Sequence, residues 1–176
     1  MKEDKLGTSL NINLIASELI DLLKEKKLKV ATAESCTGGL ISKLITDIPG
    51  ASSVFECGVC SYSNFTKEKI LLVSKKTLKT HTAVSKETAM EMAAGVKKIS
   101  NADIGISTTG FAGPKKKDSP EELGLVYIGL SNVTKTTFIK LNLYRGIDND
   151  RDYIRNAAAY NALLATLNLI KEGVVK

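Results

Sequence analysis

The chain has 176 residues, the length of one domain with room for a short tail. Apolar residues make up 43% of it and charged residues 25%, a balance that excludes a wholly disordered chain. The net charge of +6 suits an anionic small molecule or a weak nucleic-acid contact, but only 5% of the residues are aromatic and none is Trp. A base-stacking surface is therefore not expected, and neither is nucleic acid as a partner.

Three cysteines and a single histidine restrict the chemistry that the chain can carry. Cys36, Cys57 and Cys60 cannot all pair, and the sequence has no signal peptide and no apolar run of membrane-spanning length, so we expect a cytoplasmic protein with reduced thiols and no membrane contact. A Ser-His-Asp triad would have to use His81. The lone C-x-x-C motif could join a zinc site, but it stands in an apolar strand, where we expect buried free thiols, and we predict no metal.

The first half of the chain alternates between helices and strands. Apolar spacing predicts a helix from Leu10, a buried strand over Val30–Ala33 and a second helix over Gly39–Ile48. A strand over Val54–Tyr62 follows, and Asn64 is predicted to cap a short helix.

The second half continues this pattern and adds a hairpin. The predicted elements are, in chain order, a helix capped by Ser85, a strand over Asp103–Thr108, a loop over Gly110–Glu122, an antiparallel pair of strands over Leu125–Leu130 and Thr136–Leu143, and a helix over Asp150–Lys171.

This alternation predicts an α/β fold, a three-layer α/β/α sandwich with a mixed, mostly parallel sheet. Residues 1–9 are expected to be a flexible N-terminal segment and residues 10–172 a single domain. In such sheets ligands gather where strands end and loops open. The loops at 34–39 and 110–122 are therefore the places where we expect chemistry.

A serine stands at the first of these strand-to-helix turns, in Ala33-Glu34-Ser35-Cys36-Thr37-Gly38-Gly39. The backbone N–H groups that follow Ser35 could donate to an oxyanion or a phosphate, and the two glycines let a ligand approach the backbone. The G-x-S-x-G elbow is absent. On the motif alone, an ordinary helix cap with a tight turn is the favoured interpretation.

A lysine is the candidate base for this serine, because a serine needs a base to become a nucleophile. Tyr62 closes a predicted strand and Lys67 lies one turn into the next helix, so both could face the same cleft. Burial or a nearby cation would have to depress the lysine pKa. On the residues alone, a solvated helix lysine is the simpler interpretation.

Two further segments could bind substrate. Thr109 and Gly110 stand where a strand runs into a glycine-punctuated loop that is not a P-loop. The lysines at 115–117 favour a solvated loop over an anion site. Arg145 and Arg151 flank a strand exit and offer two guanidiniums for a phosphate.

In this order the segments resemble the CinA C-terminal domain family, the stand-alone nicotinamide mononucleotide (NMN) amidohydrolases. The similarity runs from about Leu14 to Leu169. The matching stretches are Ala33–Gly39, Pro49-Gly50-Ala51-Ser52, Tyr62-Ser63-Asn64 with Lys67, Ala83-Val84-Ser85, Ala102–Gly105 and Thr109–Pro114.

The resemblance implies hydrolysis of NMN to nicotinate mononucleotide and ammonia, without a cofactor, in a protein expected to form a homo-oligomer. It places the nucleophile on Ser35, the base on Lys67 and a supporting tyrosine on Tyr62. The implied substrate-binding residues are Cys36, Thr37, Gly38, Gly39, Thr109, Gly110 and Arg145.

One departure from the family and two alternatives stay open. Lysines replace glycines at 115–117, which could alter affinity or specificity more than chemistry. The same glycine turns could serve a non-catalytic nucleotide-binding or protein-interaction module related to competence or DNA damage. An amidase acting on a different amide is the other alternative.

Overall fold

The computed structural model describes residues 3–114, 122–146 and 150–173, with side chains described from Ile12 onward. In this part of the chain the helices are α1 (Glu3–Lys26), α2 (Leu40–Thr46), α3 (Asn64–Lys69), α4 (Lys75–His81), α5 (Lys86–Ser100) and α6 (Arg151–Lys171). The strands are β1 (Val30–Glu34), β2 (Phe55–Cys60), β3 (Ile104–Gly110), β4 (Leu125–Ser131) and β5 (Thr136–Asn142). No helix in these ranges combines the length and apolar character that a membrane crossing requires.

The strands form one sheet in the order β2-β1-β3-β4-β5. Strand β1 pairs in parallel with β2 and β3, and β4 pairs antiparallel with β3 and β5. Only β4 therefore runs against the other four strands. The prediction of a mixed, mostly parallel sheet is confirmed, and so is the hairpin of β4 and β5.

Helices cover both faces of the sheet. Helices α1, α2 and α6 share one core with the sheet through apolar residues such as Leu19, Ile45 and Ile106. On the opposite face, Ala31 of β1 packs with Met92 of α5. The three-layer α/β/α architecture is thereby confirmed.

Backbone atoms of helix α5 pack directly against two glycines of the sheet. A Cβ at Gly105 of β3 would come within 2.0 Å of the Ala93 carbonyl oxygen, and one at Gly129 of β4 within 2.2 Å of that of Ala89. Since no side chain fits there, these strand positions require glycine. The close packing fixes β3, and with it the strand ends at which we expected chemistry.

Several boundaries differ from the prediction. Helix α1 begins at Glu3, earlier than Leu10, because the stretch contains no proline to stop the helix from extending toward its N-terminus. The cap of α3 is Ser63 rather than Asn64: the Ser63 hydroxyl accepts from the Thr66 N–H, and Thr66 bonds back to the Ser63 N–H. The sequence did not predict the short helix α4, which Ser74 caps.

Candidate active site

Ser35 stands where β1 ends and the chain turns toward α2. Its N–H donates to the Thr108 carbonyl of β3 over 3.0 Å, which fixes the serine at the edge of the sheet. Gly38 and Gly39 follow with φ values of +61° and +93°. Both lie in the left-handed region that favours glycine, so the two glycines are what lets the chain turn here.

Helix α3 brings Lys67 to this serine. The Lys67 Nζ lies 3.0 Å from the Ser35 Oγ and donates to the Ser61 carbonyl over 2.6 Å. The side chain is 1% exposed. The interpretation of Lys67 as a solvated helix lysine is therefore wrong.

Burial changes how both neighbouring ionisable groups titrate. It lowers the pKa of Lys67 from 10.5 to about 8, and a Cys36 thiolate would oppose that shift. Burial also raises the pKa of Cys36 to about 11. The thiol is therefore neutral near pH 8, where a large share of Lys67 is a free amine that can accept a proton. A thiol with so high a pKa is a poor nucleophile, which favours Ser35 over Cys36.

Glu34, the buried last residue of β1, has a role that was not predicted from the sequence. Its carboxylate accepts from the N–H groups of Gly39 (2.9 Å), Ile41 (3.1 Å) and Ser42 (2.8 Å), and from the Ser42 hydroxyl (2.7 Å). The N-terminus of α2 is thus occupied by a carboxylate of the protein itself. An acidic residue shortly before a glycine-started helix was the signal that could have identified this cap.

The backbone of the Ser35 turn keeps free donors nevertheless. Within the described ranges, the N–H groups of Thr37 and Gly38 donate to no protein group, that of Cys36 contacts only its own thiol, and that of Gly39 donates to Glu34. The Cys36 side chain is buried in an apolar cluster, and the Thr37 hydroxyl bonds to that of Thr108 over 2.7 Å. Only the backbone of these residues is therefore available to a substrate.

Strand register places Thr109 beside Ser35. Glu34 pairs with Cys60 of β2 and with Thr108 of β3, so the next residues, Ser61, Ser35 and Thr109, lie side by side at the strand ends. The Thr109 hydroxyl donates to the Ala83 carbonyl over 2.6 Å, which leaves its oxygen free to accept.

Gly110 is the last residue of β3 and pairs with Val126 of β4, where it allows the two strands to pack closely. A Cβ on it would lie 2.5 Å from the Leu125 carbonyl oxygen and 2.8 Å from the Val126 Cα. The contact with β4 alone therefore requires glycine at this position. Its assignment to the substrate site stays a prediction, and the lysines at 115–117 lie outside the described residues.

Tyr62 lies at the rim of the site rather than against the Ser35–Lys67 pair. Its side chain is 68% exposed. The Arg151 guanidinium donates to the Tyr62 hydroxyl over 3.0 Å and to the Gly113 carbonyl over 2.6 Å. In the described part of the chain, the tyrosine makes no hydrogen bond to the serine or the lysine. Arg151 therefore joins the two sides of the strand-end cleft.

Among the described arginines near the strand ends, Arg145 forms an ion pair with a carboxylate, that of Asp150. It donates to both carboxylate oxygens of Asp150, over 2.7 and 2.8 Å, and stacks 3.4 Å above the Tyr153 ring. Arg155, one turn after Arg151 on α6, donates to the Thr37 carbonyl over 2.7 Å. Its Nε–H is buried without a partner among the described groups, and neither Arg151 nor Arg155 contacts a carboxylate there.

A role for Arg155 was not predicted from the sequence. Its i, i+4 spacing from Arg151 puts both guanidiniums on one face of α6 and could have identified it.

The remaining candidates lie away from this site. His81 is exposed at the end of α4, with its Nδ1 3.8 Å from a carboxylate oxygen of Glu87. Cys57 is half-buried, but Cys60 is exposed, so the expectation that both thiols are buried is wrong for Cys60. Residues three apart on a strand point to opposite faces, so these two cysteines do not face one ligand. Across the described ranges, no three His, Cys, Asp or Glu side chains gather as metal ligands.

Comparison with known proteins decides the family. Residues 12–170 match the model of the CinA C-terminal domain. The chain belongs to this family. A competence-damage inducible protein of Caldanaerobacter subterraneus subsp. tengcongensis is 49% identical over 144 residues, and a CinA-like protein of Kosmotoga olearia 47% over 145. Each alignment covers 82% of this chain but 34% of the relative, so the chain spans about a third of their length.

Solved CinA-family structures share the fold. The competence/damage inducible protein CihA of Agrobacterium tumefaciens is 35% identical and superposes with a TM-score of 0.82, covering 90% of this chain and 96% of that one. A CinA-superfamily protein of Enterobacter cloacae is 30% identical with a TM-score of 0.81, covering 89% and 90%. These names state no reaction.

Proposed function

We propose that this CinA-family domain is a serine amidohydrolase that converts NMN to nicotinate mononucleotide and ammonia. One observation carries the proposal: a buried lysine, with its pKa lowered to about 8, lies 3.0 Å from a serine hydroxyl at a strand end. A lysine placed only for stability would gain nothing from burial without a carboxylate. A base for a serine nucleophile needs this combination of contact and lowered pKa.

Acylation uses both members of the pair. The neutral Lys67 Nζ takes the hydroxyl proton of Ser35, and the Oγ attacks the carboxamide carbon of the substrate. The N–H groups of the turn that follows Ser35, at Cys36 to Gly38, stabilise the oxyanion of the tetrahedral intermediate. The Lys67 ammonium then returns its proton to the leaving nitrogen, the C–N bond breaks, and ammonia departs from a Ser35 ester.

Deacylation repeats these steps with water as the nucleophile. Lys67, neutral again, takes a proton from the attacking water, and the oxyanion forms in the same place. The C–O bond to Ser35 breaks, and the lysine returns the proton to the Oγ. Nicotinate mononucleotide leaves, and the pair is ready for another substrate.

Two guanidiniums support a phosphate-bearing substrate. Arg151 and Arg155 reach the Ser35 turn and its rim, and in the described ranges no carboxylate neutralises either of them. Because Glu34 occupies the start of α2, these arginines are the better phosphate ligands at this edge. Tyr62, held by Arg151 at the rim, orients the substrate in this scheme, and Arg145 contributes less because Asp150 already pairs with it.

The decisive experiment is ammonia release by the purified protein with NMN, using free nicotinamide as the control substrate. We expect ammonia from NMN and much less from nicotinamide, because nicotinamide lacks the phosphate. Ammonia from a different amide would keep the serine chemistry and change the substrate. Binding of NMN without any ammonia would instead favour the non-catalytic nucleotide-binding module. We also propose that the domain acts as a homo-oligomer, which sedimentation can test.

A further inference from the structure

Ser61 carries a buried hydroxyl that the proposed mechanism does not use. The residue is 0% exposed, and its Oγ has no hydrogen-bond partner in the described part of the chain. Its backbone is fixed at both ends, since the N–H donates to the Glu34 carbonyl over 2.8 Å and the carbonyl accepts from Lys67 over 2.6 Å. A buried hydroxyl without a partner is costly, so its presence next to the base calls for an explanation.

When Lys67 takes the proton from Ser35, its nitrogen gains an N–H donor that needs one more hydrogen-bond acceptor. A neutral amine has two N–H donors and a lone pair, whereas an ammonium has three donors. Ser61 O accepts one of them and the Ser35 Oγ a second. In a buried site the third N–H needs a partner at the moment when the charge appears. The Ser61 hydroxyl is the candidate for this partner, because it is buried without a partner of its own and belongs to the residue whose carbonyl already accepts from Lys67.

No charged group in the described surroundings competes for this role. The Cys36 thiol stays neutral, because burial raises its pKa to about 11. The Glu34 carboxylate is committed to the start of α2, and the Tyr62 hydroxyl accepts from Arg151. Glu68, the neighbour of Lys67 on α3, forms surface ion pairs with other lysines.

We propose that Ser61 is a positioning residue for the Lys67 base: its hydroxyl accepts a hydrogen bond from the ammonium that forms when Lys67 takes the Ser35 proton. The inference rests on the proposed serine–lysine chemistry but does not depend on which amide is the substrate. Only a proton moves, from the Ser35 oxygen to the Lys67 nitrogen. Ser61 supplies an acceptor and forms no covalent bond.

The test is the titration of Lys67 in Ser61→Ala and Ser61→Thr. With lysines labelled at 13Cε, NMR follows the Lys67 signal, which is assigned by its absence in Lys67→Met. Loss of the acceptor disfavours the ammonium, so Ser61→Ala should lower the Lys67 pKa by about one unit relative to wild type. Ser61→Thr keeps the hydroxyl and should titrate near wild type. Ser131→Ala removes a buried hydroxyl at the far end of β4 and is the matched control.

The rate profile adds a second readout. In Ser61→Ala the limb along which the rate rises with pH should move to lower pH, and the plateau rate should fall about tenfold, because the charged intermediate is less stable. A merely structural serine predicts a lower melting temperature with no shift of the Lys67 titration, and that result would overturn the inference. If Ser61→Ala does not fold, Ser61→Cys takes its place, since a thiol is a weak acceptor of similar size. If NMN releases no ammonia, NMN is not the substrate. The NMR titration of Lys67 does not involve NMN and still tests the role of Ser61.

Discussion

The Nζ of Lys67 lies 3.0 Å from the Oγ of Ser35, across 32 positions of sequence. The serine comes from the end of β1 and the lysine from the first turn of α3, and the parallel pairing of β1 with β2 brings the two elements together. The contact is buried, and no carboxylate neutralises the lysine within the described ranges. These properties make the pair a nucleophile and a base, and each can be tested separately.

Replacement of Ser35 by alanine should abolish amide hydrolysis and leave the fold intact. The lost hydroxyl contributes one hydrogen bond, about 1 kcal/mol, which is too little to unfold a domain of this size. Ammonia release and thermal melting are measured on the same preparation, with Ser53→Ala, an exposed serine of the turn before β2, as the control. A tenth or more of the wild-type rate in Ser35→Ala would place the nucleophile elsewhere.

Activity should rise with pH along a limb whose midpoint lies near 8. The physical reason is that burial lowers the pKa of Lys67 to about 8, and only the free amine can accept the serine proton. The measurement is the initial rate of ammonia release between about pH 6 and about pH 10, fitted to the titration of a single base. A flat profile, or a midpoint near the ordinary lysine value, would contradict the assignment of Lys67 as base.

The same lowered pKa should make the protein more stable as the pH rises from about 8 toward 10.5. In this window the unfolded chain holds the Lys67 proton and the folded chain has released it, so unfolding takes up a proton. The full effect of a shift of this size is about 3 kcal/mol. Lys67→Met should therefore unfold at higher denaturant concentration than wild type at pH 7, with a smaller difference at pH 10. Lys69→Met, on the exposed side of α3, is the control.

Removal of the Glu34 charge should weaken both the fold and the site. Glu34→Gln replaces a carboxylate that accepts four hydrogen bonds at the start of α2, and we expect a loss of about 2–3 kcal/mol in the free energy of unfolding. Chemical denaturation measures the loss. In Glu56→Gln, where the carboxylate pairs with Lys29 at the surface, the change should stay below about 1 kcal/mol. Equal changes in the two variants would show that Glu34 is not the cap that the geometry indicates.

The sequence predicted Arg145 as a substrate-binding residue, whereas the structure favours Arg155 as the phosphate ligand. Arg155→Gln should raise the KM for NMN about tenfold or more, because its guanidinium has no carboxylate partner among the described residues and reaches the Ser35 turn. Arg145→Gln should raise KM less, since Asp150 already neutralises that charge. Steady-state kinetics on both variants give the comparison. The reverse order would restore Arg145 as the phosphate ligand.

The sequence predicted the layers of the fold because hydrophobic periodicity and glycine positions are local signals. Strand β3 and helix α6 carry such signals over most of their length, and both were found within two residues of their observed bounds. Helix α4 was missed, because a short helix with the single apolar side chain Leu78 has no periodicity to detect.

The site was predictable only in part. The resemblance pointed to Ser35 and Lys67, but no local pattern shows that a lysine is buried, because burial depends on which elements pack over it. The same limit applies to Arg145, whose pairing with Asp150 became visible only in three dimensions. The cap that Glu34 forms on α2 was missed for a related reason: its partners follow in sequence, but the turn that presents them is set by two left-handed glycines.

Lys67→Arg tests the central claim most directly, because arginine keeps the charge and most of the length but cannot release its proton. The measurement is the rate of ammonia release from NMN near pH 8.5 by wild type, Lys67→Arg and the control Lys69→Arg, with each variant's rate expressed as a fraction of the wild-type rate. A serine–lysine amidohydrolase predicts a nearly inactive Lys67→Arg and an active Lys69→Arg. If Lys67→Arg keeps more than about a tenth of the wild-type rate, a deficit below about 1.4 kcal/mol, Lys67 is not the base and the account is wrong.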